Sequence, residues 1–429
     1  MTFGLINLGA QVLTRCHLDV MNHALRAKSM WWGHVPAGAP DVILGIRDTY
    51  LKDPHPKKVN LGVGAYRDDD GKPFVLPSVR RAEEIIYEKC LNHEYGPISG
   101  EPPFTEACAK LAFGEKSKPL CEKTNATVQA LSGTGALRLG FEFISRHYNK
   151  TREIWLPKPT WFNHPQICDA VCLPMKSYRY FAPKTLGFDV DGAVEDLSKA
   201  PEGAIVLLHA CAHNPTGIDP KKHEWERLSK VIKERKLFPF FDMAYQGFAT
   251  GDVDNDALAV RMFVDHGHEV MVAQSFAKNM GLYGERVGAL TILCGDPETT
   301  ARVMSQLKVI IRTIYSNPSI NGSRIVQEIL TSPELMKQWL GDVKSMADRV
   351  ISMRKMLRSA IEAAGNKRTW NHITDQIGMF CYTGLNPEQV ERLIKEFHIY
   401  LTKDGRISVA GITTKNVGYV AECMHKVTS

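Results

Sequence analysis

Residues 204–242 read AIVLLHACAHNPTGIDPKKHEWERLSKVIKERKLFPFFD. The stretch opens with an apolar run, Ala204–Cys211, and a turn follows at Asn214-Pro215-Thr216-Gly217. Lys222–Arg235 has apolar residues at helical spacing, and Phe238–Phe241 is a second apolar run. Strand, amphipathic helix and strand in this order predict a right-handed β-α-β crossover within a parallel sheet.

The same alternation extends in both directions. Short apolar runs recur at Thr127–Leu131, Glu153–Leu156, Glu269–Gln274 and Ala289–Leu293, with helix-like segments such as Ala257–His266 between them. The predicted fold is therefore α/β, with a mainly parallel sheet flanked by helices. Ligands of such sheets bind at the carboxyl ends of the strands, so the chemistry is expected just after each run. From Ser332 to Ala364 the pattern is one long helix. A short strand at Ile377–Thr383, a helix at Pro387–Phe397 and an extended pair around Lys403-Asp404-Gly405 follow. This C-terminal part, 332–429, reads as a smaller domain joined by residues from 29–75, and 76–331 reads as the large domain.

Composition excludes several classes. Apolar residues make up 44% and charged residues 23% of the 429, which is ordinary for a globular protein and not for a disordered chain. The net charge of +6 is mild and spread out, which argues against nucleic acid as a partner. No segment reaches the roughly 18 consecutive apolar residues of a membrane span. The ten cysteines are irregularly spaced with no C-x-x-C pair, as expected of reduced, mostly buried thiols in an intracellular compartment. Within 1–28 the only acid is Asp19 against Arg15, Arg26 and Lys28, with Leu5, Ile6, Leu8, Val12 and Leu13 near helical spacing. This acid-poor amphipathic segment reads as a mitochondrial transit peptide, and its removal would leave a mature chain of net charge +4.

Six segments carry candidate chemistry. In Ser275-Phe-Ala-Lys278-Asn-Met-Gly-Leu-Tyr-Gly-Glu-Arg286, a lysine following a buried strand becomes a nucleophile toward carbonyls if desolvation keeps it neutral. Ser275 and Arg286 are suited to a phosphate. Ser275-x-x-Lys278 also matches a Ser-Lys hydrolase pattern, but the companion S-D-N and K-T-G tripeptides are absent. Ser132-Gly-Thr-Gly joins a strand to a helix, where small residues and a helix N-terminus favour an anion or simply form a tight turn. Asp242-Met-Ala-Tyr245 offers either a helix cap or a buried acid that needs a cationic partner, such as a protonated pyridine nitrogen. In His209-Ala-Cys-Ala-His213-Asn214 the side chains at 209, 211 and 213 share a face, yet no further His/Cys cluster completes four metal ligands. Finally, Arg312 and Arg406 are flanked by apolar residues, the setting of an arginine that binds a carboxylate, internal or external.

Taken together, SGTGALR, HNPTG, DMAYQGF, SFAKNMGLYGERVG, YSNP and DGRISVAG, in that order, resemble the class I aminotransferases of fold type I that use pyridoxal 5′-phosphate. The likeness runs from about Trp31 to the C-terminus, and Trp31-Trp32-Gly-His-Val with its preceding segment is similar to mitochondrial members, which implies the matrix. It implies that Lys278 forms a Schiff base with the cofactor and moves the proton between substrate Cα and cofactor C4′. Asp242 would hold the pyridine nitrogen protonated, Tyr245 and Asn214 would hydrogen-bond the ring oxygen, and Trp161 would stack on the ring. Ser132, Gly133, Thr134, Ser275 and Arg286 would bind the phosphate, joined by Tyr95 from the neighbouring subunit of a homodimer. Arg406 and Gly64 would bind the substrate α-carboxylate, and Arg312 the distal one across the interface. Trp161 and Asn214 would also line the substrate site, with His164 and His209 orienting Asp242.

Two guanidinium groups at opposite ends select a dicarboxylate, because a neutral side chain leaves one of them unpaired. The implied substrates are small dicarboxylic amino and oxo acids: aspartate, glutamate, oxaloacetate and 2-oxoglutarate, in a ping-pong exchange. A kynurenine side activity, or an aromatic or broad substrate range, is the alternative within the family. No metal is implied. The sequence departs from the family pattern at Phe162, where glycine is usual, at Gly96 for leucine, and at Thr313 for proline. Phe162 beside Trp161 bears on the cofactor wall and on substrate range.

Overall fold

The computed structural model describes residues 31–32, 34–38 and 42–429. The predicted transit segment, 1–28, lies outside the described residues. The fold lies in one compact unit, Ile46–Ser429.

Seven strands form its main sheet: β1 (Asn125–Leu131), β2 (Ile154–Lys158), β3 (Met175–Arg179), β4 (Ile205–His209), β5 (Phe238–Met243), β6 (Met271–Ser275) and β7 (Val287–Leu293). Their spatial order is β1-β7-β6-β5-β4-β2-β3. Neighbours from β6 through β3 run parallel, and β7 is antiparallel to both β6 and β1. The carboxyl ends of β1, β2, β4, β5 and β6 therefore meet on one edge, together with the start of β7.

Period-2 alternation sorts the sheet side chains between two cores. Ile205 and Leu207 join Phe240, Met271 and Leu290 under α1 (Ser132–His147), whereas Val206 and Leu208 join Phe241 and Val272 under α3 (Lys222–Glu234). Helix α2 (Asn163–Ala170) follows β2, and α4 (Leu258–Asp265) lies between β5 and β6. The strand Met175–Arg179 escapes the sequence reading because it is the sheet edge, with only Tyr178 buried among exposed polar residues. It lacks the apolar run by which the central strands are recognised.

Helix α5 (Pro297–Ile314) and a shorter helix at Asn321–Thr331 precede α6 (Pro333–Ala363), which is 31 residues long. Ser332 caps α6 through its side chain at the Leu335 N–H, with Pro333 at the first turn. Helix α7 (Pro387–Phe397) carries a capping box from Asn386 and Gln389. The two extended pieces around Lys403-Asp404-Gly405 exist, but they pair elsewhere than with each other. Ile399–Tyr400 runs parallel to Val59–Asn60, and Arg406–Ser408 runs antiparallel to Phe380–Tyr382. Residues from before the main sheet are thus built into the C-terminal layer. A third hydrophobic cluster, including Trp339, Val343 and Met346 of α6, runs from this layer to Tyr245 and Phe276 beside the main sheet. No helix among the described residues is long and apolar enough to cross a membrane.

Candidate active site

Strand register sets the site. His209 at the end of β4 stands opposite Asp242 of β5, and Ser275 at the end of β6 stands opposite Gly288 of β7. Both glycines around Ser275 sit in tight surroundings, and at Gly288 there is no room for a side chain. A Cβ on Gly133 would lie 3.2 Å from Ser275 Cβ, and one on Gly288 only 2.4 Å from the Gln274 carbonyl oxygen. This close approach lets Ser132 Oγ and Ser275 Oγ meet at 2.9 Å. Ser132 itself has a left-handed φ of 61°, which begins α1 on a sharp turn. Two hydroxyls and the N-terminus of a 16-residue helix converge there, a setting for an anion. Thr134 is half-buried in the first turn of α1. Arg286, with φ 53°, is exposed at the start of β7 and donates to the Tyr283 carbonyl at 2.8 Å.

Asp242 is the end of a directed hydrogen-bond chain. Its Oδ2 lies 3.0 Å from His164 Nε2. Thr160 Oγ1 lies 2.7 Å from His164 Nδ1 and 3.2 Å from His209 Nε2, and the Asn214 N–H donates to His209 Nδ1 at 3.3 Å. A carboxylate only accepts and an amide N–H only donates, so the two ends of the chain fix the polarity of the bonds between them. Each imidazole presents its Nε2–H toward Asp242 and its Nδ1 toward Asn214. Burial pushes His209 down to about 3, with His164 adding to the shift and Asp242 opposing it. Burial also pushes the Asp242 carboxyl up, but the His164 hydrogen bond and nearby charges outweigh it and leave Asp242 below its ordinary value. The result is a half-buried carboxylate held ionised, with the His164 imidazole as its hydrogen-bond partner.

Lys278 stands close by. Its Nζ lies 5.2 Å from the centre of the Tyr245 ring. Desolvation lowers the amine, Asp242 opposes that, and Arg286 adds to it. Burial raises the Tyr245 phenol, so it stays a donor. Trp161 is half-buried, edge-on to the His164 ring at 5.2 Å. Tyr245 packs edge-on at 6.4 Å against Phe380, which links this group to Arg406.

Arg406 is 4% exposed, its guanidinium 4.3 Å from the Phe380 ring centre. It donates one hydrogen bond, Nη2 to the Gly62 carbonyl at 2.9 Å, and its Nε has no partner. No carboxylate among the described residues lies within 4 Å of the guanidinium, although the Arg406 backbone N–H donates to Asp404 Oδ1 at 3.3 Å. A buried guanidinium in that state leaves donors free for an external anion. Gly64 lies against the same ring, where a Cβ would come within 2.9 Å of Phe380 Cζ.

Two expected residues stand apart. Arg312, near the end of α5, is exposed and donates to Ser316 Oγ and to Asn317 Oδ1. Asn317 Nδ2 in turn donates to the Gly96 carbonyl at 2.8 Å, beside Tyr95, which is 82% exposed. Arg312 and the Tyr95-Gly96 segment are therefore one surface group, away from the contacts that tie Lys278, Asp242 and Arg406 together.

Sequence reasoning missed three supports: Thr160, Phe380 and Asp219, whose carboxylate accepts from the Ala212 and His213 N–H groups. Thr160 and Asp219 sit in or next to quoted motifs, but only folding reveals their partners. Phe380 carries no local signal. Among the described residues no cluster of three or more His, Cys, Asp or Glu is arranged to hold a metal.

Comparison with known proteins identifies the family. Residues 56–424 match the family model for aminotransferase class I and II. The mitochondrial aspartate aminotransferase of Xenopus tropicalis is 57% identical over 400 residues, covering 93% of this chain and 94% of that protein. A mitochondrial aspartate aminotransferase structure from Trypanosoma brucei superposes with a TM-score of 0.87 at 43% identity, covering 90% of this chain and all of that one. An aromatic-amino-acid aminotransferase from Burkholderia pseudomallei, covalently bound to pyridoxal phosphate, gives 0.91 at 41% identity, covering 93% and 100%. The chain belongs to the class I and II aminotransferase family.

Proposed function

We propose that the protein transfers the amino group reversibly from L-aspartate to 2-oxoglutarate, yielding oxaloacetate and L-glutamate, with pyridoxal 5′-phosphate as cofactor. The observation that carries the reading is Arg406: a buried guanidinium with an unpartnered Nε and no internal carboxylate fits the α-carboxylate of an amino acid. The cofactor, when bound, supplies an electron sink for the substrate carbanion. Ser132, Gly133, Thr134, Ser275 and Arg286 would take its phosphate, and Asp242, ionised and aimed by His164, its pyridine nitrogen. Trp161 would cover the ring. Asn214 and Tyr245 would donate to its ring oxygen.

Lys278 is the amine that carries the cofactor and the base that moves the proton at substrate Cα. Its lowered pKa suits both tasks, since only the neutral amine attacks a carbonyl or accepts a proton. Arg406 and the Gly64 backbone orient the α-carboxylate so that the Cα–H faces that amine.

The protein would act as a homodimer. Arg312 and Tyr95 are exposed and grouped with Val309 and Ile314, which are 50% and 42% exposed on the same helix end. A surface that joins bare apolar residues to an exposed guanidinium with no carboxylate partner among the described residues suits a partner subunit, to whose site Arg312 would offer the distal-carboxylate contact and Tyr95 a phosphate contact. The layer of 332–429, with part of 29–75, would close over the cofactor domain, 76–331, by way of Arg406 and Gly64. The mitochondrial names of the relatives and the acid-poor N-terminus favour the mitochondrion, and within it the matrix.

A second reading, use of aromatic amino acids including kynurenine, has one observation in its favour: Phe162 is 44% exposed, with its ring 5.8 Å from Trp161. The test is steady-state assay of purified protein supplied with pyridoxal phosphate. Aspartate and 2-oxoglutarate should turn over by parallel-line kinetics, and Arg312→Asp should move preference toward cationic amino acids. Unchanged aspartate turnover in that variant would sink the assigned role of Arg312.

A further inference from the structure

The turn after β4 is held by a carboxylate that the reading above leaves without a task. Asp219 Oδ2 accepts from the Ala212 N–H at 2.6 Å, and Oδ1 accepts from the His213 N–H at 2.9 Å. No cation among the described residues pairs with Asp219 within 4 Å. Burial pushes its carboxyl up to about 6, against the pull of those two amides. A carboxylate reaching back seven residues to two successive N–H groups ties both ends of the turn together.

The two amides it grips immediately precede Asn214. Ala212 has a left-handed φ of 49°, an unfavourable conformation for a residue with a Cβ, so the turn needs a restraint. The far side of the turn is fixed as well. The Gly217 N–H donates to the His213 carbonyl at 2.6 Å, and the Ile377 N–H donates to the Gly217 carbonyl at 2.7 Å. There is no slack there, because a Cβ on Gly217 would lie 2.4 Å from the Phe380 carbonyl oxygen. Tyr180 stacks on His213 at 3.8 Å and donates to the Ile218 carbonyl at 2.7 Å. With these contacts made, two further restraints place Asn214: the Asp219 clamp on residues 212 and 213, and its own N–H bond to His209 Nδ1 at 3.3 Å.

We infer that Asp219 is a positioning residue for the proposed reaction: by clamping the Ala212 and His213 amides it sets the Asn214 side chain against the cofactor's ring oxygen. The inference rests on the role of Asn214 proposed above. In Asp219→Asn one acceptor oxygen becomes an NH2 group facing a backbone N–H, so the clamp opens while shape is kept.

The experiment is a double-mutant cycle on the holoenzyme, reading the pH midpoint of its visible absorption change beside its thermal midpoint. Asn214→Ala should raise the pH midpoint by losing a hydrogen bond to the ring oxygen. Asp219→Asn should raise it in the same direction by about half a unit or more, and the double variant should move it no further than Asn214→Ala alone. If Asp219→Asn does not fold, Asp219→Glu, which keeps the charge and lengthens the reach, is read in its place with the same expectation. A lowered thermal midpoint with an unmoved pH midpoint, or additive shifts, would overturn the positioning role. An unmoved midpoint in Asn214→Ala would overturn the role of Asn214 and this inference with it, whereas a protein that takes up no chromophore would overturn the cofactor reading itself.

Discussion

His164 Nε2 and Asp242 Oδ2 lie 3.0 Å apart, and that contact ends a hydrogen-bond chain that begins at the Asn214 backbone. Thr160 is the hinge of the chain, because its hydroxyl joins the two imidazoles. Thr160→Val keeps the shape and removes both bonds. The expected outcome is a loss of about 1–3 kcal/mol in unfolding free energy, the cost of leaving buried ring nitrogens unpaired. Cofactor affinity should weaken as well, since His164 no longer has a fixed orientation. Chemical denaturation and cofactor titration check both, and an unaltered denaturation midpoint would contradict the chain.

His209 gives a pH signature. Its folded pKa is depressed to about 3, below the ordinary 6.5, so between those values the unfolded chain binds more protons than the folded one. Its contribution to stability is therefore intact above about pH 6.5 and falls as pH drops toward 3. Relative to His209→Asn, the wild-type protein should lose about 1.4 kcal/mol per pH unit through that window. Thermal or denaturant unfolding at several pH values measures it. A difference between the two proteins that does not change with pH would contradict a buried neutral His209.

How much of this was legible beforehand follows from the kind of signal each part carries. The central strands were readable because burial on both faces makes them continuous apolar runs, as at Ala204–Cys211. The edge strand Met175–Arg179 and the two-residue strand Val59–Asn60 were not, since their pairing is decided by distant neighbours. Candidate residues stood out where a polar or charged group follows an apolar run, as Asp242 and Lys278 do. Their partners did not. Thr160, Phe380 and Asp219 act through contacts with residues 4, 26 and 7 positions away respectively, which no local pattern encodes.

Arg406 separates ligand binding from stability. A buried guanidinium without a carboxylate contributes little to the empty protein, and an apolar replacement of similar length removes a desolvation cost. Arg406→Met is therefore expected to keep or raise the thermal midpoint while cutting kcat/KM for aspartate by roughly 100-fold or more, equivalent to losing about 3 kcal/mol of charged hydrogen bonding. A variant that loses stability and activity together would mean that Arg406 is structural.

Phe162 offers a test of substrate range. It packs into none of the hydrophobic clusters among the described residues, and its one ring contact is Trp161. Phe162→Gly should cost little stability. It should lower kcat/KM for phenylalanine about tenfold, the scale of one aromatic contact, and leave aspartate within about threefold. Equal changes for the two substrates would remove Phe162 from the determinants of specificity.

In the proposed reaction this site moves an amino group between a dicarboxylic amino acid and the bound cofactor. The most direct measurement is the half-reaction: the visible spectrum of the holoenzyme during addition of aspartate alone, followed by 2-oxoglutarate. The absorption band of the bound cofactor should be lost with release of one oxaloacetate per site, and should return when 2-oxoglutarate is added with release of one glutamate. A protein that stays colourless after incubation with pyridoxal phosphate, or a band that aspartate leaves unchanged, would contradict it.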